Sequence, residues 1–137
     1  MRFEQYDFLP LIKENLASLG FKKPTDIQYK AIGPIMKGED VLAIAQTGTG
    51  KTAAFAIPLI DFIAKQKKVV KYSGIKCLVM VPTRELAIQI AEAFDAIGKG
   101  TSVHILSLYG GVDQDNQIFK LKHGVDILIS TPGRMFD

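Results

Sequence analysis

The chain has 137 residues, enough for one domain of ordinary size. Its 47% hydrophobic and 23% charged content exclude disorder, collagen-like repeats and low-complexity character. Seventeen Lys and Arg against fourteen Asp and Glu give a net charge of +3, which permits a phosphate-bearing partner without demanding one. A single cysteine allows no internal disulfide, two histidines without cysteine neighbours make no zinc site, and no apolar stretch nears the ~18 residues that cross a bilayer. A soluble, cytoplasmic protein with no membrane partner is expected.

In chain order, the first elements predicted are helices over about Leu9 to Leu19 and about Asp26 to Met36. Gly20 ends the first in a left-handed conformation. Four short apolar runs follow, Val41 to Ala45, Ile75 to Val81, Val103 to Tyr109 and Asp126 to Ser130. Each is near-continuous in Val, Ile and Leu, the mark of strands buried on both faces. Between them lie helical patterns at Lys51 to about Lys65, interrupted by Pro58, at Arg84 to Ile97, and at Asp113 to Lys122. The second carries Leu86, Ile90, Ala93, Phe94 and Ile97 on one stripe. Strand and helix in alternation predict an α/β fold with a parallel sheet and helices on both faces. Lys65 to Gly74 reads as a solvated connection. Cys77 reads as buried filler, and nothing pairs with His104 or His123.

Ala45-Gln46-Thr47-Gly48-Thr49-Gly50-Lys51-Thr52 falls directly after the first predicted strand and opens the following helix. A helix start presents unpaired N–H groups and the positive end of its dipole, which attract phosphate. Gly48 and Gly50 let the backbone approach the phosphate oxygens. Lys51 supplies a charge to the outer phosphates, and the Thr52 hydroxyl is a candidate Mg²⁺ ligand. Ala45 stands where the strict pattern has its first glycine; a small residue with negative φ suffices there. The alternative is a glycine-rich turn that happens to precede Lys-Thr.

Upstream, Thr25-x-x-Gln28 has the spacing of a helix capping box, with Pro24 and Asp26 favouring a helix start. The Gln28 amide, donor and acceptor at once, also matches the amino group and ring nitrogen that adenine presents side by side. Both readings stand on the residues alone. At the other strand ends lie Pro82-Thr83-Arg84, Gly110-Gly111 and Thr131-Pro132-Gly133-Arg134. Ligands of open parallel sheets bind at this carboxyl edge. There, exposed amides together with Arg84 and Arg134 would suit a phosphate backbone. Ordinary turn and cap chemistry explains the same residues equally well.

Taken together, GFKKPTDIQ, AQTGTGKT, PTRELA, the Gly-Gly pair after Tyr109, and TPGR occur in the order and spacing of the DEAD-box RNA helicases. Phe3 stands seventeen residues ahead of Gly20, where that family carries an isolated aromatic. The resemblance runs from about Phe3 to Arg134. It implies a RecA-like P-loop NTPase domain, with Gln28 and Phe21 on the adenine and residues 45 to 52 around the phosphates of ATP or ADP. By the same resemblance, Lys51 and Thr52 serve catalysis and Thr52 the metal. Pro82, Thr83, Arg84, Gly110, Gly111, Thr131, Pro132, Gly133 and Arg134 would hold single-stranded RNA by its backbone.

The acidic tetrapeptide that names the family does not occur in the 137 residues. The chain is therefore expected to be a partial first RecA-like domain, incomplete at its C-terminal end and lacking the second. Residues 1–38 would form the adenine-side helices and 39–137 the strand-helix units. Such a piece would bind ATP and Mg²⁺ without hydrolysis of its own and would associate with itself through an exposed sheet edge. Two other classes compete: a nucleotide-binding module without turnover that acts through a partner, and a different phosphate-loop ATPase such as a DNA translocase.

Overall fold

The computed structural model describes residues 1–44, 50–69, 74–109 and 124–135. A single 3₁₀ turn at Phe3–Gln5 leads into α1 (Pro10–Ser18) and α2 (Asp26–Met36). Then come α3 (Lys51–Val69), β1 (Cys77–Met80), α4 (Arg84–Ile97), β2 (Ile105–Leu108), β3 (Ile127–Ser130) and the short α5 (Pro132–Met135). The predicted helix at Asp113 to Lys122 lies outside the described residues, as does His123.

The three strands form a parallel sheet in the order β1-β3-β2, so the central strand is the last in sequence. β3 is buried along its whole length, as its unbroken apolar run predicts. Its Ile127 and Ile129 face the main core with Phe94, Ile57, Ile60, Ile12 and Leu16, to which α1, α3 and α4 all contribute. Leu106, Leu108, Val125 and Leu128 form a separate cluster on the opposite face. α4 buries Ala87, Ile90, Phe94 and Ile97, spaced three, four and three residues apart, which is one stripe of a helix. Gly20 adopts φ +86°, the left-handed exit expected after α1.

One predicted strand is corrected. Residues 41–44 form no strand, and Leu42 and Ile44 are 90% and 87% exposed. Strand geometry persists only where a neighbour takes up the backbone hydrogen bonds, and no described strand pairs with this run. Its β-branched and aliphatic content is therefore not enough. The other three strands lie within their apolar runs and are shorter than them, paired in register over Cys77–Met80, Ile105–Leu108 and Ile127–Ser130.

Two buried carboxylates fasten the elements together. Asp61, on α3, accepts from the Leu9 backbone N–H at 2.8 Å and pairs with Lys65 at 2.8 Å; Lys65 also donates to the Asp7 carbonyl. This places a negative charge at the N-terminus of α1, where the helix dipole favours it. Asp126, just before β3, accepts from Lys76 Nζ at 2.8 Å, Lys67 Nζ at 2.7 Å and the His104 N–H at 2.8 Å. α3 runs on to Val69, beyond the predicted end near Lys65, and so carries Lys67 to Asp126.

Candidate functional site

Two groups of predicted residues can be placed. The first is where α2 begins. Thr25 caps the helix: its Oγ1 accepts the Gln28 N–H at 3.4 Å, and the Gln28 Oε1 accepts the Thr25 N–H at 2.9 Å. The capping-box reading therefore holds. Gln28 also reaches across to α3, its Nε2 donating to the Gly50 carbonyl at 3.2 Å, and the side chain is only 2% exposed. The same carbonyl accepts the Ala54 N–H at 3.1 Å and so begins the α3 ladder. In this arrangement one glutamine ties the start of α2 to the start of α3. An amide carries a second hydrogen and a second lone pair, which is the chemistry a base edge would use.

Gly50 has φ +84°, and a Cβ built there would lie 2.4 Å from Gln28 Nε2 and 3.3 Å from Thr25 Oγ1. Its lack of a side chain is thus fixed by close approach to Gln28 as well as by backbone conformation. The sequence pointed to the second reason and missed the first, since no local signal links positions 28 and 50. Lys51 is the first residue of α3 and exposed; Thr52, next to it, is half-buried. An exposed ammonium and a hydroxyl at a helix N-terminus suit a phosphate and its counter-cation. Ala45, Gln46, Thr47, Gly48 and Thr49 lie outside the described residues.

Phe21 is half-buried and meets Phe3 edge-on, with ring centres 5.7 Å apart at 88°. A cavity of about 240 Å³ opens beside them, lined by Arg2, Phe3, Lys13, Leu16, Phe21 and Lys22 among others; Gln28 and Gly50 do not line it. Phe21 and Gln28 thus face different surroundings here.

The second group sits at the carboxyl ends of the strands. Strand order brings these ends side by side: the Val81 N–H donates to the Ser130 carbonyl at 3.0 Å, and the Thr131 N–H to the Leu108 carbonyl at 3.1 Å. Pro82, Thr83 and Arg84 are exposed, Thr131 is half-buried, and Pro132 and Gly133 are exposed. Thr83 caps α4, accepting the Leu86 N–H at 3.2 Å, and Glu85 lies in the first turn, where the dipole favours an acid. Pro132 is the first residue of α5, the position proline suits. Gly110 and Gly111 fall outside the described residues, as does the Arg134 side chain. Asp126 lies at the opposite end of β3, far from this edge in register. Among the described residues no three His, Cys, Asp or Glu side chains group as a metal site, and no helix is long and apolar enough to cross a membrane.

Parallel strands with helix starts gathered at their carboxyl ends define an open-sheet α/β domain of the kind that binds ligands at that edge. Residues 25–137 match the DEAD/DEAH box helicase family, and the chain belongs to it. It is 42% identical over 126 residues to the pre-mRNA-processing ATP-dependent RNA helicase prp-5 of Neurospora crassa, covering 92% of this chain but 11% of that protein. Its fold matches the crystal structure of a DEAD box protein from the hyperthermophile Methanococcus jannaschii, with TM-score 0.87 and 39% identity over 98% of this chain and 36% of the other. A hypothetical ATP-dependent RNA helicase from Sulfolobus tokodaii matches with TM-score 0.80 and 35% identity, over 93% of this chain and 35% of the other. The chain thus spans about a third of these solved chains and about a tenth of the curated relative.

Proposed function

We propose that this chain is the ATP-binding and RNA-backbone-binding part of an ATP-dependent RNA helicase, within the first of two RecA-like domains. The observation that carries the reading is the Gln28 bond to the Gly50 carbonyl, which joins the predicted adenine reader to the helix start bearing Lys51 and Thr52. Gly48, Gly50 and Lys51 would hold the phosphates, and Thr52 the Mg²⁺. The bound metal would neutralise phosphate charge and leave this chain's own residues to bind and orient. Hydrolysis also needs an acidic pair to hold the metal and orient water, and the acidic tetrapeptide that names the family does not occur in the 137 residues. The chain alone would bind ATP or ADP without turnover.

Thr83, Arg84, Thr131 and Arg134, with Gly110 and Gly111, would contact RNA through phosphates, giving affinity without base reading. A cytoplasmic location belongs to the same reading, as does contact with a second RecA-like domain. Self-association through the outer edge of β1 is supported by exposed Leu78 and Met80 and by the absence of Lys or Pro within Cys77–Met80.

Titration with ADP, ATP and GTP in the presence of Mg²⁺ tests the reading. Adenine nucleotides should bind more tightly than GTP, and Lys51→Ala should abolish binding while leaving the circular dichroism spectrum intact. Equal affinity for GTP removes the role of Gln28, and unchanged affinity in the Lys51 variant removes the phosphate site. A module acting only through a partner is separated by RNA: binding that weakens steeply with salt supports the helicase reading.

A further inference from the structure

The carboxyl edge of the sheet holds a contact that the motif pattern does not account for. The Arg84 guanidinium carbon lies 5.3 Å from the centre of the Tyr109 ring. Arg84 is the first residue of α4 and is exposed, whereas Tyr109 is half-buried and packs against the main core cluster. One partner is anchored and the other is exposed, so the ring acts as a shelf for the arginine. The shelf is set in place by the sheet itself. Tyr109 follows Leu108, the last residue of β2, whose carbonyl accepts the Thr131 N–H.

The type of partner matters. Among the described residues no carboxylate lies within ion-pair distance of Arg84. A carboxylate would neutralise the guanidinium and occupy its in-plane donors. An aromatic ring attracts the guanidinium without neutralising it, so its full charge stays available to an anion. A flexible side chain is then ordered before any anion arrives, and less freedom remains to be lost on binding.

We propose that Tyr109 is a positioning residue that holds Arg84 ready for a phosphate of single-stranded RNA. This rests on the reading of the carboxyl edge as the RNA-facing side. It assigns the ring to the arginine, not to a stacked nucleobase.

The test is fluorescence anisotropy of the whole chain with a labelled single-stranded oligouridine at low salt, comparing the parent with Tyr109→Phe, Tyr109→Leu, Arg84→Ala and the Arg84→Ala/Tyr109→Leu pair. Tyr109→Phe keeps the ring and should bind within about twofold of the parent, while Tyr109→Leu should bind about three- to fivefold more weakly, the range of an exposed cation–π contact. In the Arg84→Ala background the leucine should add nothing, because the shelf then holds no arginine. Equal weakening by leucine in both backgrounds overturns the proposal and points to base stacking on the ring. No weakening by leucine overturns it as well. A readout without RNA guards against misfolding: the Arg84 Nε–Hε resonance should be shifted upfield by the ring in the parent and Tyr109→Phe, and a parental shift free of ring current overturns the proposal. If the parent binds no RNA at low salt, the reading of the whole edge falls and Tyr109 falls with it; intact RNA binding without Arg84–Tyr109 coupling brings down Tyr109 alone.

Discussion

Replacing Asp126 with Asn removes the charge from a carboxylate whose side chain is 6% exposed and accepts three hydrogen bonds of 2.7 to 2.8 Å. The two lysines are not equivalent. The Lys67 side chain is 22% exposed and also donates to the Ser102 carbonyl at 2.5 Å, so it can turn toward water; its share is that of a near-surface pair, under about 1 kcal/mol. The Lys76 side chain is 7% exposed, and its ammonium would lose its buried counter-charge. Breaking one side of a buried pair costs about 3–5 kcal/mol, and retention of one acceptor oxygen by asparagine puts the expectation near the lower end, about 3 kcal/mol. Against a total of about 5–15 kcal/mol for a domain, that is a large fraction. Urea unfolding followed by circular dichroism reads it as a lower midpoint at unchanged slope. Lys76→Met should cost more than Lys67→Met. A loss below about 1 kcal/mol for Asp126→Asn, or the reverse order of the lysines, would refute a dry ion triad at this end of the sheet.

The same carboxylate gives the protein an acid limb. Burial raises the Asp126 pKa, but the Lys67 and Lys76 ammoniums and the His104 N–H outweigh it and hold the group below the usual aspartate value. A pKa lower in the folded than in the unfolded chain means the stabilisation is complete above about pH 4 and is lost as pH falls through the folded value. Asp126→Asn should flatten the stability–pH curve below that point, measured by urea midpoints from pH 7 to pH 3. Gly50→Ala should cost about 1–3 kcal/mol from strained φ and the clash with Gln28. Adding Gln28→Ala should recover part of that loss in thermal melts. Thr83→Ala should cost about 1 kcal/mol by removing the cap of α4, and Thr83→Ser should restore it, both read from urea midpoints. Met80→Lys, which charges the outer edge of β1, unpaired among the described strands, should lower any sedimentation-detected dimer without lowering monomer stability.

Local rules were legible wherever a segment carries its own reasons. α2 begins at Asp26 and α4 at Arg84 because Thr25 and Thr83 cap them, and α4 ends at Ile97 where its apolar stripe ends. The fully apolar run Ile127–Ser130 is the buried central strand. The run at 41–44 is apolar too, but a strand needs a neighbour, and that requirement cannot be seen in the run itself.

Within the candidate site, the amino-acid order alone supplied the motif segments, their spacing and the family they resemble. It could not supply the contacts between residues far apart in the chain. Gln28 meets Gly50 across 22 positions, Lys67 and Lys76 converge on Asp126 across 59 and 50, and Arg84 lies over Tyr109. Periodicity and capping act over a few residues, whereas these pairs exist only because the β1-β3-β2 sheet and the helices packed on it bring distant positions into contact.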